Sequence, residues 1–315
     1  MKYCDLFSGC GGVSAGFQRV PNMKCVLAVD NDEHAELVYR KNFPRHRFLS
    51  HDLLHPLPDA KQLANELKEG MLIGGCPCQD FSTANHRQAK HKGQHAELTA
   101  AFAAHIDTLR PKWVVFENVP SVARRQQFQT LVHSMQSTGY QIEHRVLCMT
   151  DFGMSQKRHR LILLAVRGRD AMLKLRSAWM AIEHCKTNSR PKTVREVFVG
   201  RGLPCPSLYY YYPSPSGLKS VFSVHEWAPT IRGRTRPLPN TYKFQPTDAS
   251  HDRDHIFNLS TAHLAALQGF PNTFTFLEGR KTVHNNRLVG NAAPPPLSSM
   301  IASAISSPVA SMLKT

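Results

Sequence analysis

The chain has 315 residues, of which 42% are hydrophobic and 20% are charged. These values are typical of a folded globular protein and argue against intrinsic disorder, and no apolar run approaches the roughly 20 residues of a membrane-spanning helix. Lys and Arg outnumber Asp and Glu by 39 to 23, a formal net charge of +16, which favours a polyanionic partner such as nucleic acid without establishing one.

The start of the chain leads directly into an apolar strand pattern and lacks the layout of a secretory signal, so we expect a cytoplasmic protein. Its eight cysteines lack the C-x-x-C spacing of zinc sites. In a reducing compartment they are expected to remain free thiols. A cysteine with a special role is therefore expected to be catalytic rather than structural.

Residues 2 to about 167 alternate short apolar runs with helix-like segments. This pattern is typical of parallel strands joined by crossover helices, and it predicts an α/β fold with a mainly parallel sheet. The predicted strands are Lys2–Phe7, Cys25–Asp30, Met71–Gly74, Lys112–Glu117, Gln141–Cys148 and Arg160–Val166.

From about residue 191 to residue 254 the periodic pattern gives way to proline, glycine, tyrosine and arginine. A linker could have this composition, but the length, the tyrosine run 209–212 and the basic stretch Thr230–Arg236 favour a small, irregular binding module. Helical periodicity returns at Leu259–Gln268 and Pro294–Ile305.

The first predicted strand runs into a glycine-rich turn that contains Phe7, Gly9 and Gly11. Such turns let a ligand approach the backbone in nucleotide-binding α/β folds, although many serve only the turn. The second strand ends on Asp30, at about the spacing from which an acidic side chain accepts hydrogen bonds from ribose hydroxyls. The third glycine of the dinucleotide motif is missing, so a nucleoside cofactor without a pyrophosphate is as consistent as NAD. Asp52 could accept from an adenine amino group or cap a helix.

A thiol and a carboxyl group follow two of the predicted strands. Cys78 comes after the strand at 71–74, and Glu117 ends the strand at 112–117. Because ligands of open α/β sheets bind beyond the carboxyl ends of the strands, both groups are expected at one edge. A lone cysteine there is more often inert than reactive, but a partly desolvated glutamate beside it could donate a proton.

Two arginines lie at the start of the last predicted strand of this domain. Side-chain alternation along a strand would place Arg158 and Arg160 on one face. Their guanidinium groups could hold a base or a phosphate there and favour the thiolate form of Cys78. A solvated basic strand end would have the same pattern.

These residues belong to six blocks that resemble, in the same order, the motifs of DNA (cytosine-5) methyltransferases. The resemblance covers nearly the whole chain. The blocks are Asp5–Gly12, Pro77–Gln79, Glu117–Val119, Gln156–Arg160, Leu267–Pro271 and Gly290–Ala292. The resemblance implies a Rossmann-like methyltransferase sheet with a smaller, irregular target-recognition domain. The expected catalytic and cofactor-binding domain is 1–180 with 285–315, and the expected target-recognition domain is 181–284.

The resemblance also implies a reaction. Cys78 would add to carbon 6 of a cytosine flipped out of the duplex, while Glu117 holds N3 and the base pocket contains Arg158 and Arg160. S-adenosylmethionine would donate the methyl group to carbon 5. The implied cofactor-binding residues are Phe7, Gly9, Gly11, Asp30, Asp52, Leu53, Pro77 and Asn291.

The implied partner is double-stranded DNA. The form of the chain resembles monomeric, stand-alone prokaryotic enzymes of restriction-modification systems, in which a cognate restriction endonuclease acts on the same site. We interpret His86, His91 and His95, in the loop after Cys78, as facing phosphate rather than binding a metal, and no metal is predicted.

Two alternatives to DNA methylation are a tRNA-methylating enzyme of the same family and a non-catalytic DNA-binding relative. The tRNA-methylating branch usually carries a Cys-Phe-Thr segment that this sequence lacks. Intact Cys78, Glu117 and Arg160 argue against a non-catalytic role. The residues do not predict which DNA sequence is methylated.

Overall fold

The structure is a computed structural model that describes residues 1–76, 94–214, 217–233, 235–279 and 282–306, without the side chains of 94–96. Two predicted site residues, Pro77 and Cys78, lie outside the described residues, as does the loop that follows them to residue 93. None of the described helices is long and apolar enough to cross a membrane.

The chain divides into two compact units. Unit 1 comprises Met1–Leu147, His159–Cys185 and the residues from Pro295 onward, and unit 2 comprises Cys148–Arg158 and Lys186–Pro294. Segments 148–158 and 285–294, which the sequence analysis assigns to the catalytic domain, therefore cluster with unit 2.

The strands are β1 Lys2–Leu6, β2 Lys24–Asp30, β3 Phe48–Ser50, β4 Met71–Gly74, β5 Trp113–Asn118, β6 Tyr140–Cys148, β7 His159–Arg167, β8 Tyr209–Tyr211, β9 Val221–Ser223 and β10 Ile256–Asn258. The first seven form one sheet in the order β3-β2-β1-β4-β5-β7-β6. Neighbours from β3 to β5 are parallel, and β7 is antiparallel to β5. The α/β prediction is confirmed, and all six predicted strands are present.

The helices of the described residues are α1 Gly12–Phe17, α2 Glu33–Asn42, α3 Ala60–Leu67, α4 Gln94–Leu109, α5 Gln126–Ser137, α6 Ala171–His184, α7 Val194–Gly200, α8 Thr261–Gln268, α9 Thr282–Asn291 and α10 Pro295–Ser306. Helix α2 begins where the Asp32 carboxylate accepts hydrogen bonds from the backbone N–H groups of His34 and Ala35. Helices α8 and α10 confirm the helical periodicity near the end of the chain.

Both faces of the inner strands of unit 1 are covered. On one face, Cys4 and Leu6 of β1 belong to a buried apolar cluster with Phe102 of α4. On the other face, the ring of Tyr3 lies 4.7 Å from the ring of Phe17 in α1. Strands covered on both sides are expected to be almost continuously apolar, which is why these strands could be predicted.

Unit 2 contains a three-stranded sheet in the order β10-β8-β9. The tyrosine run supplies β8, and Tyr210, Tyr211 and Tyr212 are at most 3% exposed. Tyr210 stacks on Phe222 of β9, with ring centroids 5.8 Å apart. These three tyrosines therefore build the core of unit 2 and do not form an exposed aromatic surface.

Helices α1 and α10 of unit 1 pack closely at Gly16. A Cβ atom at Gly16 would contact the Pro295 carbonyl oxygen and would lie 2.6 Å from Ser298 Cβ. We expect Gly16→Ala to lower the free energy of unfolding by about 1–3 kcal/mol, the usual range for overpacking, and therefore to lower Tm. Gly200→Ala is the control, because a Cβ atom there would meet nothing within 4 Å. An unchanged Tm for Gly16→Ala would contradict this packing.

Candidate active site

Most of the predicted site residues of unit 1 lie where the strands of the sheet end. Phe7, Gly9 and Gly11 follow β1, Asp30 ends β2, and Glu117 is the last residue but one of β5. Because β1, β2 and β5 point the same way, these residues share the carboxyl edge at which open α/β sheets bind ligands.

The Asp30 carboxylate ties the glycine turn to the end of β2. Its Oδ2 accepts a hydrogen bond from the Gly9 N–H at 2.8 Å, and its Oδ1 accepts one from the Asp32 N–H at 3.0 Å. Burial raises the pKa of Asp30 above its ordinary value, while these hydrogen bonds act to lower it. A carboxylate has about four lone-pair sites, so acceptor capacity remains for a ribose hydroxyl.

The glycine turn has the features expected of a nucleoside-binding cradle. A Cβ atom at Gly9 would meet nothing within 4 Å. The Ser8 hydroxyl is buried and has no hydrogen-bond partner among the described residues. Phe7 adopts a left-handed φ of 61°, and unfavourable backbone conformations of this kind concentrate at ligand sites. The residues present therefore fit S-adenosylmethionine.

Asp52 and Leu53 follow β3 and have contacts of their own. Asp52 Oδ1 accepts a hydrogen bond from the Leu54 N–H at 3.0 Å, which closes a turn. The Leu53 side chain is buried in the apolar core, and its carbonyl is 2.9 Å from His105 Nε2. These contacts shape the turn, and the adenine contact of both residues stays a prediction.

Glu117 is paired with Arg160 across two antiparallel strands. The register sets Glu117 opposite Ile162, so Arg160, two residues from Ile162, lies diagonally on the same face. Arg160 Nε is 2.8 Å from Glu117 Oε1, and the two side chains are only 11% and 15% exposed. Charges shielded from water interact more strongly than charges on the surface, so this ion pair restrains the Glu117 carboxylate by charge, although its Oε1 has no hydrogen-bond partner among the described residues.

The chain segment that leads to Cys78 is anchored beside Glu117. Asn118 Nδ2 donates a hydrogen bond to the Cys76 carbonyl at 3.1 Å, and a Cβ atom at Gly75 would lie 3.2 Å from Glu117 Oε2. Cys78 follows Cys76 by two residues. Asn118 was not among the site residues predicted from sequence, although its position directly after Glu117 in the third motif block is a signal for it.

Cys76 itself is unsuited to nucleophilic attack. Its thiol is 3.5 Å from the Leu98 carbonyl, to which it donates a hydrogen bond, and the residue is 3% exposed. Burial raises the pKa of Cys76 to about 12, so the thiolate is rare at neutral pH. Of the two cysteines that flank Pro77, Cys78 thus remains the candidate nucleophile.

Arg158 has a different environment from Arg160. Strand β7 begins at His159, so the side-chain alternation of the strand does not extend to Arg158. The residue is 1% exposed. Its guanidinium donates hydrogen bonds to the carbonyls of Ile231, Gly290 and Ala292 in unit 2, at 2.7, 3.1 and 3.3 Å. Strand alternation therefore gives no reason to place Arg158 on the same face as Arg160. The role of Arg158 in the base pocket stays a prediction.

The remaining predicted site residue within the described ranges is Asn291. It is the exposed last residue of α9, in unit 2. Among the described residues, no group of three His, Cys, Asp or Glu side chains could hold a metal ion. The predicted contact of Asn291 with the cofactor stays a prediction.

The chain matches the protein family described as C-5 cytosine-specific DNA methylase over residues 1–197 and 175–307. It belongs to this family. The resemblance inferred from the six motif blocks is thereby confirmed, the chain is a DNA (cytosine-5) methyltransferase, and the family implies S-adenosylmethionine as the methyl donor.

Two similar proteins cover almost the whole methylase. Type II methyltransferase M.HindV of Haemophilus influenzae is 32% identical over 310 residues, 97% of this chain and 96% of that protein. Type II methyltransferase M.HgiDI of Herpetosiphon aurantiacus is 34% identical over 306 residues, 97% of this chain and 94% of that protein.

Solved structures agree on the fold. A putative DNA modification methyltransferase encoded within an E. coli prophage has a TM-score of 0.68 at 19% identity, covering 100% of both chains. A DNMT2 mutant of Spodoptera frugiperda has a TM-score of 0.69 at 14% identity, covering 97% of this chain and 99% of that chain. The fold is the Rossmann-like fold of S-adenosylmethionine-dependent methyltransferases.

A second buried carboxyl group lies behind the glycine turn of the methylase. Asp5 of β1 is 1% exposed, and its Oδ2 has no hydrogen-bond partner among the described residues. Burial and then the charge of Asp30 raise the pKa of Asp5 well above its ordinary value. The folded protein therefore retains the Asp5 proton to a higher pH than the unfolded chain, which releases it near about pH 4.

Because the folded state binds the extra proton, its stability falls as pH rises from the unfolded pKa of Asp5 towards the folded pKa. Asp5→Asn removes this loss. We expect the free energy of unfolding of the variant, relative to wild type, to increase as the pH rises above about 4, by at most about 1.4 kcal/mol per pH unit, and the difference in Tm to grow accordingly. The exposed Asp107→Asn is the control. A Tm difference between Asp5→Asn and wild type that is independent of pH would show that Asp5 is ionised in the folded protein.

Proposed function

We propose that the protein is the modification methyltransferase of a restriction-modification system, acting on a cytosine within a specific sequence of double-stranded DNA. The Type II names of the two full-length relatives support this role. The observation that carries the catalytic assignment is the shielded Glu117–Arg160 pair beside the segment that leads to Cys78.

In the proposed reaction the Cys78 thiolate adds to carbon 6 of the target cytosine, forming an S–C6 bond. Carbon 6 is a poor electrophile, so Glu117 in its acid form donates a hydrogen bond, or transfers its proton, to N3 as the S–C6 bond forms. Arg160 holds the Glu117 carboxyl group in place. When bound, S-adenosylmethionine supplies the electrophilic methyl group that carbon 5 accepts. A base then removes the carbon 5 proton, the S–C6 bond breaks to release Cys78 as thiolate, and the proton that N3 received returns to Glu117.

The proposed cofactor site lies at the carboxyl edge of the sheet. Asp30 would accept from the ribose, and Gly9 and Gly11 would let the ligand approach the backbone. Phe7 would contact the adenosine. The remaining proposed contacts are Asp52, Leu53, Pro77 and Asn291.

DNA binding is proposed to use the positive charge of the chain and the residues of unit 2 as a target-recognition domain. A net charge of +16 favours phosphate contacts. Carbon 5 of a stacked cytosine is enclosed by the duplex, so the base must be flipped out for reaction. We expect a monomer that works in the cytoplasm at the nucleoid of a prokaryote, alongside a cognate endonuclease.

Covalent trapping tests the nucleophile. Duplex DNA that contains 5-fluorocytosine blocks the final proton removal, so wild type with S-adenosylmethionine should form a covalent adduct visible as a shifted band after denaturation. Cys78→Ser should form none, because its hydroxyl is a far weaker nucleophile than a thiolate. Cys185→Ser, which alters an exposed thiol, should trap as wild type does. An adduct with Cys78→Ser, or trapping on tRNA instead of duplex DNA, would refute the proposal.

The role of Glu117 is tested by Glu117→Gln, which keeps the shape of the side chain but loses the acid. We expect methylation of duplex DNA to fall by about 100-fold or more, the lower end of typical general acid contributions. Binding of S-adenosylmethionine, measured by calorimetry, should be retained. Glu143→Gln on β6 is the control. Turnover of Glu117→Gln at the wild-type rate would remove Glu117 from the mechanism.

A further inference from the structure

The peptide from Ile231 to Gly233 in unit 2 is held by buried groups. Gln156 Oε1 accepts a hydrogen bond from the Ile231 N–H at 2.9 Å, and Arg158 Nη1 donates one to the Ile231 carbonyl at 2.7 Å. The Tyr212 hydroxyl accepts from the Arg232 N–H and donates to the Arg232 carbonyl at 3.3 Å. The backbone N–H and carbonyl groups of both Ile231 and Arg232 are thus hydrogen-bonded to side chains.

A glycine completes this arrangement. At Gly290 of α9 a Cβ atom would collide with the backbone between Arg232 and Gly233. Only a residue without a side chain permits this approach. We call Gln156, Arg158, Tyr212 and Gly290 the clamp.

The clamp residues are themselves fixed. Gln156 is fully buried, and its Nε2 donates to the Leu267 carbonyl at 3.1 Å and to Gln268 Oε1 at 2.9 Å. Arg158 also donates hydrogen bonds to the carbonyls of Gly290 and Ala292, at the C-terminal end of α9. Buried side chains that each make several hydrogen bonds hold the backbone they bind in one arrangement. The backbone at Arg232 is therefore held by side chains that are themselves bonded to other parts of unit 2.

This rigid peptide carries an exposed cation. The Arg232 side chain is exposed, and its guanidinium makes no hydrogen bond or ion pair with another residue of the described ranges. Arg236 is exposed as well, but no hydrogen bond joins its own peptide to another described residue. The clamp thus distinguishes Arg232 from Arg236.

The constraint indicates which part of DNA Arg232 contacts. A phosphate contact depends mainly on charge and tolerates displacement of the cation. A base contact requires the guanidinium fork to meet the O6 and N7 acceptors of guanine in a fixed geometry. Rigid support is needed for the second type of contact and adds little to the first.

We propose that Arg232 reads a guanine of the target sequence in the major groove and that the clamp orients it for this contact. The proposal rests on the proposed function, in which unit 2 recognises duplex DNA. In this role Arg158 is a positioning residue for Arg232.

The test compares Arg232→Lys with Arg236→Lys, since lysine keeps the charge but loses the fork. Bisulfite sequencing of DNA from cells that express wild type first gives the methylated site. The ratio of kcat/KM between the cognate duplex and duplexes with one G·C pair replaced is then measured for each protein. Arg232→Lys should lose discrimination at one guanine position by about tenfold or more, and Arg236→Lys should keep it.

Discrimination by Arg232→Lys that equals wild type at every position would overturn the base-reading role and leave Arg232 at most a phosphate contact. Absence of cytosine methylation by wild type itself would instead refute the proposed function. The two failures are therefore distinguishable.

The clamp is tested by Tyr212→Phe, which removes only the hydroxyl group. We expect weaker discrimination at the same guanine position, with unchanged affinity for S-adenosylmethionine by calorimetry. A purely structural role of Tyr212 would lower Tm and activity on all duplexes alike, without affecting one position. Discrimination at that position equal to wild type would remove the clamp from the proposal.

Discussion

The ion pair between Arg160 and Glu117 depends on the antiparallel direction of β7 next to β5. In a parallel sheet, every strand brings its last residues to the carboxyl edge, and Glu117 reaches the edge in this way. Because β7 runs the opposite way, its first residues arrive at that edge instead. Arg160, the second residue of β7, therefore lies beside the end of β5. The same strand directions explain why the block Gln156–Arg160 lies at the start of β7, whereas the block Pro77–Gln79 comes after β4.

The sheet was predictable because its strands are short apolar runs buried on both faces. Six strands were identified from sequence with ends within one residue of those observed. Strand β3 was missed, since three residues, Phe48–Ser50, are too few to display a period. The edge placement of Gly9, Asp30 and Glu117 followed from strand direction alone, without knowledge of any side-chain contact.

Contacts between distant parts of the sequence were not predictable. The three carbonyls that accept hydrogen bonds from Arg158 lie 73, 132 and 134 residues away from it in the chain. A local pattern cannot encode such partners, and the side-chain alternation of a strand does not apply to Arg158 because β7 starts one residue after it. In unit 2 the same limit applies to Tyr210: the tyrosine run favoured a small binding module, but it did not indicate that Tyr210 would stack on Phe222.

The two arginines of one motif block illustrate two different uses of the same side chain. Arg160 meets a carboxylate, so its contribution is chiefly electrostatic. The three carbonyl acceptors of Arg158 are neutral, so there the planar fork contributes geometry by joining segments that are far apart in sequence. Burying a guanidinium is costly unless it is hydrogen-bonded, and the three carbonyl contacts of Arg158 offset part of that cost only in the backbone arrangement that brings these carbonyls together. A motif match alone cannot separate these two roles, because both require arginine at a fixed spacing.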